Sequence, residues 1–178
     1  IVSGEMTTAF AVDESSHHNP ADTEMTAEFK KDKVILNGKK IFVVDGASAD
    51  LLIVLARTSG NKGETRGLTL FFVNSNSSGV EKIKLDMADS RNYANIVFSD
   101  VEINKEDILG DIETGGETAE NILDIARIAL SAEMLGNSEA AFETTLDYLK
   151  QRKQFGVLIG SFQALQHLSL IHISEPTR

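Results

Sequence analysis

The apolar residues of this chain change period once, and that change constrains the fold more than any other feature. From about Thr7 to Ile103 they come in short runs separated by turn residues: Val34-Ile-Leu36, Ile41 to Val44, Leu51 to Leu55, Leu68 to Val73 and Ile96 to Ile103. Short β-branched and apolar runs of this kind are strands. Asn37-Gly38 stands between two of them and reads as a hairpin, because a type I′ turn needs φ > 0 at both central residues. Gly60 to Gly63 and Asn74 to Gly79 read as loops. Many short strands at this spacing predict a closed or nearly closed antiparallel barrel. After Ile108-Leu-Gly-Asp111 the period becomes helical, with Ile122, Ile125, Ala129, Ala132, Leu135, Leu146 and Leu149 at three- and four-residue steps. That spacing predicts one helix from Glu117 to about Lys153 whose apolar stripe needs partner helices. A second helix is predicted from near Ser161, so the pair forms the opening half of a bundle. Gly136 and Ala140 on the long helix read as close-packing residues. The fold class is therefore an α+β multidomain fragment: an antiparallel β-barrel over residues 1–110, then the first long helices of an α-helical bundle over residues 111–167.

Composition narrows the function. The formal net charge is -10 over 178 residues, which argues against nucleic acid, whose binders present a basic face. There is no Cys, so disulfides and thiolate metal sites are excluded, an absence compatible with a reducing cytoplasm. Apolar runs such as Leu51 to Ala56 are far below the roughly eighteen residues that span a bilayer, so a soluble, cytoplasmic protein without a membrane span is expected. His17-His18 invites a metal reading, but a site needs three or four ligands of defined geometry, and no third His lies nearby. No metal site is assigned. The chain opens on Ile1 without an initiator Met or a charged-then-apolar leader, which reads as an internal fragment.

Arg152-Lys-Gln-Phe-Gly156, followed by Ile159-Gly-Ser-Phe-Gln163-Ala-Leu-Gln166-His167, is the most specific segment. An Arg at a helix C-terminus followed by Phe-Gly gives a charged fork, an aromatic body and a Gly able to take φ > 0 to end the helix. Such an Arg holds a pyrophosphate bidentately. The segment resembles the helix-turn-helix junction of acyl-CoA dehydrogenases. The order of barrel, long helix and Arg-x-x-Phe-Gly is similar to that family's middle domain and the start of its C-terminal bundle, from about residue 6 to 167. Leu51 to Thr58, Ile122 to Glu133 and Leu149 to His167 resemble the group described as small subunits of pimeloyl-CoA dehydrogenase. Where the family continues its helix, Leu168 to Arg178 departs from it and carries Pro176. These residues look like a translated sequencing adapter, so 168–178 are set aside as a non-native tail, and His172 and Glu175 are given no evolved chemistry.

The resemblance implies FAD, an acyl-CoA substrate oxidised at Cα and Cβ, an electron-transfer flavoprotein as acceptor, and a homo- or hetero-oligomer. Phe10-Ala-Val12-Asp13-Glu14 stands where the family has the strand end facing the flavin ring, with Asp13 at the family's Thr and Glu14 matching. The small-residue loop that follows there is replaced by Ser15 to Pro20, bulkier and stiffer next to a ring. Asn19 of this loop is assigned to the substrate. Phe42-Val43-Val44 stands at the family's Trp-Ile-Thr, and Val44 cannot donate the hydrogen bond that the Thr gives to flavin N5. Asp124 and Arg127 match the family's Leu-Asp-x-x-Arg, near the pantetheine arm and thioester; three apart on a helix, they are also placed to pair with each other. Arg152, Phe155 and Gln163 match residues that reach the pyrophosphate and adenosine of a partner subunit's FAD. A few relatives carry the catalytic Glu where Ala126 stands, so no catalytic residue is assigned here. Two readings follow: part of a flavin-dependent acyl-CoA dehydrogenase, or a non-catalytic partner subunit completing another subunit's FAD site. A barrel serving only as an interaction module is the third.

Overall fold

The computed structural model describes residues 1–174, with side chains through residue 169. The chain divides into two compact units, Ile1–Leu123 and the residues from Asp124 onward.

The first unit is built on β1 (Thr8–Ala11), β2 (Thr26–Lys30), β3 (Lys33–Val43), β4 (Leu51–Arg57), β5 (Leu68–Asn74), β6 (Val80–Lys84), β7 (Ala94–Asn104) and β8 (Ile108–Leu109). They form one sheet in the order β6-β7-β3-β2-β4-β5-β8, with β1 paired to β4 off this path. Most pairs are antiparallel, but β1 and β2 both run parallel to β4. The closed or nearly closed antiparallel barrel expected is not found: the sheet is mixed, and its path runs from β6 to β8 without pairing the two. Its terminal strands explain this: β8 has two residues, and β6 leaves Glu81, Lys84 and their neighbours exposed or only half-buried. Strand count and spacing do not specify whether the first and last strands meet.

The Asn37-Gly38 hairpin is also corrected. The β2–β3 connection is the two-residue link Lys31-Asp32, with Lys31 at φ 51°. Asn37 and Gly38 lie inside β3, where the register against β7 shifts between Leu36 and Gly38. Such a shift is a bulge, and a strand Gly marks a close approach: a Cβ on Gly38, at φ 147°, would stand 2.8 Å from Met25 Cβ. Asn37 and Asp100 lock the bulge reciprocally, Asn37 Nδ2 donating to Asp100 Oδ1 (2.9 Å) and the Asp100 amide to Asn37 Oδ1 (2.8 Å). Of the pair, only Gly38 takes φ > 0; the extra residue of the bulge is on β7, where Asp100 takes φ 49°.

Alternation along the strands decides what is buried. Val34, Leu36, Leu52, Val54, Phe71, Val73, Ile96 and Phe98 form the main core. A smaller cluster of Val12, Leu55, Leu68, Leu70 and Ala119 lies against Phe10, Ile53 and Leu109, so Ala119 brings the first turns of helix α1 (Gly115–Gln151) onto the sheet. Only glycines fit at that entry. A Cβ on Gly115 would lie 2.7 Å from the Leu70 amide nitrogen. Glu117 in the first turn and Lys150 in the last complement the helix dipole.

In the second unit, α1 runs on to Gln151 within two residues of its expected limits. A two-stranded hairpin, β9 (Lys153–Gln154) and β10 (Val157–Leu158), follows, then a single 3₁₀ turn and helix α2 (Gln163–Ser174). The single apolar stripe predicted for α1 is not what forms: exposed apolar residues lie around the helix, Ile125, Leu130, Met134 and Leu135 among them, and Ile125 and Leu135 are each at least 70% exposed. Nothing lies within 4 Å of a Cβ placed on Gly136, so no close packing occurs there among the described residues. Phe142, Leu146 and Leu149 of α1 face Leu165 and Leu168 of α2 across an open groove of about 830 Å³. Of the expected tail, Leu168 and Ser169 line this groove; Glu175 to Arg178, including Pro176, and the His172 side chain lie outside the described residues.

Candidate functional site

Two strand ends of the first unit meet where the sequence placed a flavin-facing edge. The Ile41 amide donates to the Asp13 carbonyl (2.8 Å), which ties the segment after β1 to the last turn of β3. Phe10 is half-buried, Val12 buried, and Asp13 and Glu14 half-buried. At β3, Val43 is buried while Phe42 (48% exposed, φ 49°) and Val44 (44% exposed) stand in solvent. Asn95 Oδ1 accepts from the Phe42 amide (3.1 Å), holding this second irregularity of the strand.

The junction rests on a residue that sequence reasoning passed over. Lys40 is fully buried, and its Nζ donates to the Val12 carbonyl (2.8 Å), Glu14 Oε1 (2.7 Å) and Thr23 Oγ1 (3.5 Å). Glu14 in turn accepts from the amides of Glu24 (2.8 Å) and Met25 (3.0 Å). Thr23, through its carbonyl, accepts from Arg57 Nε (2.8 Å). The signal was in the alternation: Val34, Leu36, Gly38 and Lys40 share one phase of β3, so Lys40 points where its neighbours are buried.

Burial lowers the Lys40 pKa from 10.5 to about 8, with Glu14 opposing the shift. The folded chain then releases this proton before the unfolded chain does, so the unfolded state binds more protons between about pH 8 and 10.5 and stability rises with pH across that window. The rise amounts to roughly 3 kcal/mol. Urea unfolding as a function of pH should show it in the native chain and not in Lys40→Met; parallel profiles for the two would contradict it.

The loop after Glu14 is exposed from Ser15 to Asn19. His18 Nδ1 lies 2.8 Å from Asp13 Oδ1, so the Asp13 carboxylate is engaged within its own loop. Asn19, exposed, opens the turn Pro20–Asp22 and accepts the Asp22 amide on its carbonyl (3.0 Å). Among the described residues, no three His, Asp or Glu side chains gather as metal ligands. No helix among them is long and apolar enough to cross a membrane.

In the second unit, Arg127 Nη1 pairs with Asp124 Oδ1 at 2.6 Å, one turn apart on α1 and both substantially exposed. At the end of α1 the Arg152 amide still bonds the Tyr148 carbonyl (2.9 Å), and its own carbonyl accepts from Ile159 (2.9 Å). Gly156 does not end the helix, as the sequence implied. Phe155 (φ 53°) and Gly156 (φ 82°) are the two central residues of the β9–β10 hairpin, the φ > 0 pair of a type I′ turn. With its amide oriented to suit, Gln154 offers its oxygen to Arg152 Nε (3.3 Å) and Nη2 (2.8 Å). Phe155 is 92% exposed and meets Phe162 edge-on, ring centroids 6.4 Å apart. Gln163, exposed, is the first residue of α2. A guanidinium, an aromatic ring and an amide thus sit at solvent on one short segment.

The chain thus runs from a mixed sheet into a long helix and an Arg-bearing hairpin. The chain belongs to the acyl-CoA dehydrogenase family. The family's middle-domain model matches residues 9–101 and its C-terminal-domain model residues 113–171. A 3-(aryl)acrylate reductase of Clostridium sporogenes is 37% identical over 171 residues, 93% of this chain and 45% of that protein. A caffeyl-CoA reductase-Etf complex subunit of Acetobacterium woodii is 32% identical over 170 residues, 93% of this chain and 44% of that protein. The structure of butyryl-CoA dehydrogenase from Megasphaera elsdenii superposes with a TM-score of 0.85 at 32% identity, covering 95% of this chain and 45% of that one. The chain therefore spans less than half the length of these relatives.

Proposed function

We propose that this chain forms part of an FAD-dependent enzyme that oxidises an acyl-CoA thioester at Cα–Cβ to the 2-enoyl-CoA. The observation that carries this reading is the Arg152 segment, where a short hairpin presents a guanidinium and an exposed aromatic ring to solvent. That donor set suits a dinucleotide pyrophosphate, since a planar fork matches phosphate oxygens. When bound, FAD would accept the hydride lost from the acyl chain.

The chain's own residues have more limited tasks. The strand ends at Phe10, Val12, Asp13 and Glu14 and at Phe42, Val43 and Val44 would shape the edge of the flavin pocket. Asp13 and Glu14 contribute backbone there, because His18 and Lys40 engage their carboxylates. The exposed Phe42 and Val44 supply apolar surface that excludes water. Asp124 and Arg127 would meet the pantetheine arm and the neighbourhood of the thioester, breaking their mutual pair to do so, and Asn19 is likewise assigned to the substrate. Arg152, Phe155 and Gln163 would serve the FAD of a neighbouring subunit, which makes the enzyme an oligomer. The proton from Cα goes to a base supplied outside these residues. An electron-transfer flavoprotein is the proposed electron partner, supported by the name of the Acetobacterium relative. The limits 1–110 and 111–167 remain our proposed domain division, in a cytoplasmic protein.

A second reading has specific support. The Asp13–His18 pair and the missing hydroxyl at Val44 alter the subunit's own flavin edge, whereas the Arg152 segment is unaltered, as expected of a non-catalytic subunit that completes a partner's site. Flavin content of the full-length protein separates the two. About one FAD per chain, with bleaching of its visible band on adding acyl-CoA, is the expected result. No FAD of its own, but increased FAD retention by a mixed partner, would select the second reading, and neither outcome would leave the family fold without this chemistry.

A further inference from the structure

We propose that Lys40 is a positioning residue for the flavin edge of the site, its buried ammonium fixing the strand end at residues 12–14 against the β3 irregularity at residues 41–44. The inference rests on the FAD reading above. Nζ reaches three oxygens from three stretches of chain: the Val12 carbonyl, Glu14 Oε1 and Thr23 Oγ1. One residue later, the Ile41 amide bonds the Asp13 carbonyl. Consecutive residues of β3 thus grip consecutive carbonyls, of Val12 and Asp13, on the segment after β1.

Core packing alone does not account for this choice. Removing an ammonium from water is costly, and an apolar side chain of similar volume commonly stabilises a core more. What Met cannot do is fix the direction of the Val12 carbonyl and of the Glu14 carboxylate. Glu14 also holds the amides of Glu24 and Met25, so Lys40 sets the chain on both sides of the exposed loop Ser15 to Asn19 through one carboxylate. Without the ammonium, the Val12 carbonyl loses its Nζ donor and the Glu14 carboxylate its cation, leaving the Ile41–Asp13 bond to hold the strand end. A site that must place backbone against a ring depends on supporting contacts of this kind.

The test uses the full-length protein with FAD, as native, Lys40→Met, and the double variant Lys40→Met with Glu14→Gln, which removes the uncompensated carboxylate charge. FAD dissociation, the flavin visible spectrum, thermal unfolding and hydrogen exchange at the Ile41 amide are read for each. Lys40→Met is expected to weaken FAD by about tenfold or more, shift the flavin band and speed exchange at Ile41. The double variant should regain thermal stability while keeping the altered band and weakened FAD. Unchanged FAD affinity and spectrum in Lys40→Met, or full recovery of both in the double variant, would reduce Lys40 to a structural residue and overturn the inference alone. A native protein that holds no FAD would overturn the FAD reading, and the inference with it.

Discussion

Arg57→Met should lower the stability of the chain by about 3 kcal/mol or more, from several charge-assisted hydrogen bonds lost at once and the carbonyls left unpaired. Arg57 is 9% exposed at the end of β4, and all its donor capacity is committed to backbone. Nε donates to the Thr23 carbonyl (2.8 Å), Nη1 to those of Ser59 (3.3 Å) and Arg66 (3.2 Å), and Nη2 to those of Ala21 (2.9 Å) and Glu64 (3.0 Å). One planar fork therefore joins the Ala21–Thr23 turn to the Ser59–Arg66 loop, an arrangement a Lys point charge does not reproduce. A domain of this size is stable by roughly 5 to 15 kcal/mol in total, so the variant would be near the limit of folding. Urea unfolding of native chain, Arg57→Met and the exposed control Lys39→Ala measures it. A loss below about 1 kcal/mol, within the range of ordinary substitutions, would mean that water replaces the fork without penalty.

Arg152→Ala should weaken FAD retention in the full-length oligomer about 10- to 150-fold, equivalent to roughly 1.5 to 3 kcal/mol for a charge-assisted contact. Lys153→Ala should change it little. The two cations are adjacent but not equivalent: Arg152 sits at the helix end with its guanidinium steadied by Gln154, whereas Lys153 is the first, exposed residue of β9. Flavin content after gel filtration of each variant, mixed with its natural partner where one exists, distinguishes them. Equal retention would leave Arg152 as a helix-end charge and remove the main support for the proposed function.

Elements set by local periodicity were the legible part of the fold. The switch of period near Asp111 placed α1, and the apolar runs placed β4, β5 and β7, because alternation and helical spacing are properties of neighbouring residues. Closure of the sheet was not legible, since it depends on whether β6 and β8 meet. Asn37-Gly38 shows the same limit at finer scale: the sequence reads as a turn, and only pairing with β2 and β7 keeps it within β3, opposite a bulge on β7. Gly156 was a helix stop by composition, yet its hairpin partner Phe155 takes φ > 0 as well. The candidate site residues came from a motif and its family resemblance. The charged groups beneath them, Lys40 and Arg57, were visible only as a Lys in the inward phase of a strand and an Arg ending an apolar run. Their donor networks join stretches up to 36 residues apart, a distance at which local pattern is silent.

The pairing of β3 with β7 has a consequence for how quickly the first unit forms. Lys33 lies opposite Asn104, 71 residues away, and this contact encloses β4, β5 and β6 within the loop it closes. Loop entropy must be overcome before the pairing returns any energy, so high contact order makes this a slow ladder to assemble. The helical turns of α1 form in microseconds or less from neighbouring residues. Until the β3–β7 ladder closes, the apolar faces of β3 and β7 lack each other as partners, and that interval is when the first unit is most open to aggregation.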